Sequence, residues 1–136
     1  MISSGRSAEQ YRRAQFETAD RGQLLLLVFD GGLRFLGQAR EALERDDLAQ
    51  FGHFLGRSQA VIAELLHTLD HEAGGEIARN LERLYRFMLE HLVEANLAKS
   101  VRHVDDVRRI LGIIASAYRE ILAKGLPKLE RGRAAA

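Results

Sequence analysis

Glu64 and His67 stand three residues apart in a helix-forming stretch and match the Glu-x-x-His spacing with which some helical bundles hold a di-iron centre. That chemistry needs the motif twice, plus a glutamate from each of two further helices, and no second Glu-x-x-His occurs. His67 and His71, four apart with Asp70 between them, offer a second arrangement, because two imidazoles on one helix face can grip a metal ion. The segment reads HTLDH, however, and Thr68 stands where zinc hydrolases of the HExxH type carry their catalytic glutamate. Solvated histidines near a helix C-terminus, favoured there by the helix dipole when protonated, account for the pair better. His53, His91 and His103 find no partner by spacing. The chain has no cysteine, hence no thiolate nucleophile or ligand, and no glycine-rich phosphate loop after a strand. The expectation is a protein that is not an enzyme, with no catalytic residues, no metal and no cofactor.

The elements that carry these residues read as helices throughout. Proline occurs once, at Pro127, so nothing interrupts helix formation before it. A first helix is expected over about 20–44, capped by Asp20 with Gln23 at the reciprocal position, and its seam runs Leu25, Phe29, Gly32, Leu36, Ala39, Leu43. A flanking stripe of Leu24, Val28, Gly31 and Phe35 widens its apolar face. Asp46 and Asp47 open a second helix, about 47–70, with a heptad seam of Leu48, Phe51, Leu55, Ser58, Ile62, Leu65 and Leu69. Gly74 and Gly75, tolerant of positive φ, are expected to separate it from a third helix over 76–97, whose stripe is Ile77, Leu81, Leu84, Met88, Leu92 and Ala95. After a polar turn around 99–103, a fourth helix over 104–123 carries Val104, Val107, Leu111, Ile114, Tyr118 and Ile121, then stops at Gly125 and Pro127.

Four helices of this length with short connections predict an all-α fold, an antiparallel up-down-up-down four-helix bundle forming a single domain over residues 1–136. Residues 1–15 are expected to be a mobile N-terminal segment or short helix, and 124–136 a flexible tail. Both ends are basic: Arg6, Arg12 and Arg13 outnumber Glu9, and Lys124, Lys128, Arg131 and Arg133 outnumber Glu130, leaving the body mildly acidic. A nucleic-acid binder concentrates its basic residues on the folded face, so no nucleic-acid partner is expected. The longest apolar run, Leu24 to Phe29, is far below the roughly 18 residues of a spanning helix, which excludes membrane insertion by that route. The N-terminus lacks the apolar h-region of a secretory signal, and a cytoplasmic address is expected.

Gly31 and Gly32 inside a helix cost about 1 kcal/mol each relative to alanine, which implies close packing at that point and predicts that Gly31→Leu is disruptive. Leu26, Leu27, Leu33, Phe54, Val61, Ile110 and Ile113 are left over once the seams are assigned. Some of them broaden the core, and others are expected to form a groove for a partner helix or extended segment.

Residues 74–96 carry a recognisable pattern: Gly74, Gly75, Glu76, Ile77, Ala78, Asn80, Leu81, Leu84, Tyr85, Phe87 and Met88, followed by Ala95 and Asn96. Upstream, Tyr11, Phe16, Glu17, Thr18, Ala19, Asp20, Gly22, Gln23 and Leu24 form a second pattern, and Val28, Phe29, Asp30, Gly31, Phe35 and Leu36 a third. In this order and spacing the chain resembles the flagellar export chaperone FliS family from residue 11 to about 122. Arg21, Arg86, Tyr118, and Lys99 with Ser100 depart from that family's usual proline, aspartate, tryptophan and acidic connector.

The resemblance implies a cytosolic type III export chaperone that binds the disordered C-terminal segment of flagellin, prevents premature polymerisation and delivers it to the flagellar export gate, with a co-chaperone or an anti-sigma factor as a further candidate partner. Guided by it, the candidate partner-binding residues are Tyr11 and Phe16 on the N-terminal segment, Phe54 and Val61 on the second helix, Asn80 and Tyr85 on the third, and Ile110 and Ile113 on the fourth. Asn80 and Tyr85 are expected to hydrogen-bond an extended backbone, and the others to hold apolar side chains. The alternative reading is a helical adaptor or regulatory bundle that binds an amphipathic helix of another protein.

Overall fold

The turns, more than the helices, decide how this chain is arranged. The computed structural model describes residues 2–124, with the backbone alone for 2–6 and 14–20. It comprises α1 (Ile2–Glu44), α2 (Leu48–His67), α3 (His71–Ala98) and α4 (Val101–Lys124). Asp46 takes a left-handed conformation (φ 63°), which a short polar side chain tolerates, and the Asp47 carboxylate caps α2 by accepting the Gln50 amide at 3.1 Å. Asp70 caps α3 by accepting the amides of Glu72 and Ala73 at 3.1 and 3.0 Å. Lys99, also left-handed (φ 51°), ends α3, and the Ser100 hydroxyl accepts the His103 amide at 3.2 Å to open α4.

One expected boundary is corrected and another refined. α1 does not start at Asp20 but runs through it from Ile2, because Ala8 to Gln15 are strong helix formers with no proline among them and the Asp20 amide neighbours are already inside a helix. α2 ends earlier than expected, at His67, and the Asp70 carboxylate opens one further helical turn by satisfying two otherwise orphaned amides. Gly75 then leaves helical geometry at positive φ (52°, with ψ −126°), so the break expected at the paired glycines is present, as a kink within α3 from which the helix continues at Glu76. The expected stop at Gly125 and Pro127 and the tail beyond it lie outside the described residues.

Each helix packs against two others and not against its diagonal, in the cyclic order α1, α2, α3, α4. Phe35 stacks on Phe54 while Gly32 meets Val61, so α1 and α2 run in opposite senses. The ion pairs Arg40–Asp105 (2.8 Å) and Arg119–Asp30 (3.3 Å) give the same result for α1 and α4, and His91–Asp106 with Glu94–His103 for α3 and α4. Phe29, Leu36, Phe51, Ile62, Leu65, Met88, Leu92, Val104 and Leu111 fill the centre with essentially no exposed surface. Ser58 is buried among them without penalty because its hydroxyl donates to the Phe54 carbonyl at 2.9 Å.

The close packing expected at the paired glycines belongs to Gly32. A Cβ there would sit 2.9 Å from Val61 Cγ1 and 3.2 Å from Leu111 Cδ2, whereas at Gly31 the nearest atom is the Arg34 guanidinium at 3.8 Å. The expectation that Gly31→Leu disrupts the core therefore moves one residue along the helix. Gly56, by contrast, has open space around its Cα. Gly32→Leu is expected to lower stability by at least about 2 kcal/mol through overpacking, and Gly56→Ala to raise it by about 1 kcal/mol. Urea unfolding followed by circular dichroism checks both signs; a neutral Gly32→Leu would show that Val61 and Leu111 yield freely.

Candidate functional site

A groove opens between α3 and α4 on one side of the bundle. The kinked α3 contributes Ile77, Leu81 and Tyr85; α4 contributes Ile113, Ile114, Ala117, Tyr118 and Ile121; Phe29 of α1 reaches the floor. The reason lies in which helical track turns inward. On α3 the core takes Ala78, Tyr85, Met88 and Leu92, leaving Ile77 (57% exposed) and Leu84 on the edge that faces α4. On α4 it takes Leu111, Ala115 and Tyr118, so Ile114 and Ile121 stay half-buried and Ile113 is 62% exposed. The stripes expected at Ile77–Leu84 and at Ile114 are each displaced by one residue, and that displacement creates the groove.

Its accessible wall is almost wholly carbon and its volume is about 190 Å³. Small-molecule and cofactor pockets run roughly 300–1,000 Å³, so this one suits a few side chains of a longer apolar segment. Phe87, 45% exposed, extends the apolar edge along α3: it stacks on His91 with centroids 4.9 Å apart, and His91 faces α4. The floor carries a tilted ring pair, Phe29 and Tyr118, at 5.7 Å.

The expected binding residues divide accordingly. Tyr85 and Ile113 both line the groove, and Ile110 is half-buried one turn away on α4. Tyr85 has no exposed surface and lines the groove from its buried side. Asn80 is exposed on α3, where its amide oxygen accepts from the Arg83 guanidinium. Phe54 and Val61 lie on the α1–α2 side, against Phe35 and Gly32, and are not among the residues that line this groove. α2's strict heptad seam left them as flank residues, but the identity of the flanking helix was not legible from α2 alone. Tyr11 is 65% exposed on the N-terminal part of α1, and the Phe16 side chain lies outside the described residues. Leu84 and Phe87, both exposed, continue along α3 the edge that Ile77 begins.

The residues that suggested chemistry do not assemble as their spacing proposed. Glu64 is exposed, His67 ends α2 and His71 begins α3, where it approaches Glu82 at 3.5 Å. Instead the α3–α4 hairpin joins His91 and His103, whose rings stack at 4.3 Å. The hydrogen bond from His91, together with its charge and those of Arg109 and Arg102, holds Asp106 below the usual carboxylate range against the opposing effect of desolvation. On the α1–α4 flank, the hydrogen bond and charge of Asp105 raise the affinity of Arg40 for its proton.

Fold and groove define a class: a small all-helical bundle bearing an open apolar cleft, in which no described helix is long and apolar enough to cross a membrane. The model of the flagellar protein FliS family matches residues 4–125. The chain is 37% identical over 117 residues to the flagellar secretion chaperone FliSB of Pseudomonas aeruginosa, covering 83% of this chain and 93% of that one. It is 37% identical over 108 residues to the flagellar secretion chaperone FliS of Salmonella typhimurium (79% and 80% covered), and 27% identical over 112 residues to that of Bacillus subtilis (82% and 83%). The protein belongs to the FliS family of flagellar secretion chaperones.

Proposed function

We propose that this protein is a cytoplasmic export chaperone for flagellin, binding its disordered C-terminal segment, blocking premature polymerisation and delivering it to the flagellar export gate. The observation that carries this reading is the carbon-lined α3–α4 groove with Ile77 and Ile113 exposed at its rims, in a chain whose relatives are named flagellar secretion chaperones. An apolar side chain from a client leaves water when it enters the groove, at roughly 25 cal/mol per Å² buried. A client that is disordered when free loses conformational entropy on binding, so a large apolar contact yields a complex that still releases its cargo. The work is binding alone, with no bond made or broken, and the protein is accordingly read as a non-enzyme.

Calorimetric titration with a peptide spanning about the last 40 residues of the source's flagellin tests this, a length able to bury the roughly 1,000–3,000 Å² of coupled folding. One-to-one binding with a large negative heat-capacity change is expected. Absence of heat from a chain shown to be folded would overturn the flagellin assignment and favour the helical-adaptor reading.

A further inference from the structure

We propose that the α3–α4 hairpin holds a divalent transition-metal site of the zinc or nickel type, with His91 Nδ1, Glu94 Oε1 and His103 Nε2 as its protein ligands. These atoms lie within 4.8 Å of one another: Glu94 Oε1 is 3.5 Å from His103 Nε2 and 3.9 Å from His91 Nδ1. Tetrahedral zinc with ligands at 2.0–2.1 Å places them about 3.3 Å apart, so Glu94 would have to shift by about half an ångström and the two stacked rings swing toward a shared point to close the shell. Glu94, with its side chain 63% exposed, is free to make that adjustment and leaves a fourth position open to water. Two imidazoles and one carboxylate are the ligand set that zinc and nickel favour over magnesium or calcium.

The outer nitrogens carry the argument further. His91 Nε2 is 3.0 Å from Asp106 Oδ2, and a carboxylate can only accept, so Nε2 carries a proton and Nδ1, on the side of Glu94, is the atom that a metal would take in place of a second proton. His103 Nδ1 is 2.7 Å from Ser100 Oγ, which also accepts the His103 amide, so the serine oxygen holds the ring from behind and leaves Nε2 on the side of Glu94. Each ring is thus oriented by an oxygen behind it, as metal-bound histidines are. Two ring nitrogens and a carboxylate oxygen lie together where α3 turns into α4, the donor set that a divalent cation would gather. Arg109 approaches the other Asp106 oxygen at 3.8 Å. Such an ion would tie the end of α3 to the start of α4 beside Phe87, at the end of the apolar edge.

The untagged full chain, stripped with chelator, is titrated with zinc chloride by calorimetry and melted with and without excess zinc. One site per chain and a raised melting temperature, both reversed by chelator, are expected. His103→Gln should weaken binding by at least roughly 100-fold, and Asp106→Asn by roughly 10–100-fold through loss of the ring's orientation. Should a histidine variant fail to fold, Glu94→Gln, on an exposed side chain, should still lower zinc affinity about tenfold or more. No saturation below about 1 mM zinc overturns the proposal. Unchanged affinity in His103→Gln or Glu94→Gln also overturns it, since the ion would then sit elsewhere.

Discussion

Ile113→Asp is expected to remove binding of the flagellin C-terminal peptide while leaving helical content and unfolding midpoint unchanged. At 62% exposure the Ile113 side chain supplies little to the core, and exposed substitutions of this kind usually stay within about 0.5 kcal/mol. In the complex the same position would be covered by client, facing Ile77 across the groove with Ile114, Ala117 and Ile121 on its own helix. None of these offers a hydrogen bond, so an aspartate there must either stay ionised in an apolar contact or take up a proton at neutral pH, and both are costly. A buried anchor contributes about 2–4 kcal/mol, which corresponds to roughly 30- to 1,000-fold in affinity. Calorimetry on the variant gives the affinity and urea unfolding gives the stability. Full binding by Ile113→Asp would remove the α3–α4 groove from the client's path, and a collapsed unfolding midpoint would make Ile113 a core residue.

What the sequence made legible follows the range of the forces involved. The α2 seam from Phe51 to Leu69 is buried as its heptad predicts, because period and burial are set within one helix once a core exists. Asp47 was legible as a cap because its partner, Gln50, is three residues away. The choice between adjacent tracks on α3 was not, since the periodicity allows both Ile77–Leu84 and Ala78–Tyr85 as inward faces and the packing of α2 and α4 decides between them. The same limit explains Phe54 and Val61, whose role depends on which neighbour stands beside α2. His91 and His103 had no partner by spacing because their meeting is made by the two-residue turn at Lys99 and Ser100, which folds α4 back along α3. Local rules reach caps and seams, while the groove and the histidine cluster are products of helix pairs.

Tyr85→Ala should be the most damaging single change, costing about 3–5 kcal/mol of stability, the range for removing a buried aromatic ring. Among the described residues Tyr85 is the largest side chain with no exposed surface, and it belongs both to the core cluster and to the groove wall. Truncation removes the packing of the ring against its neighbours and joins the void to the groove, so water can enter where carbon was packed. A domain of this size commonly has about 5–15 kcal/mol in all, so the variant should remain folded at low temperature with a much lower urea midpoint. A loss below about 1 kcal/mol would mean that the ring is not needed by the core. Paired with Ile113→Asp, this variant separates floor from rim: the rim change is expected to act on affinity alone, whereas the floor change acts first on folding and reaches binding only through the shape of the groove.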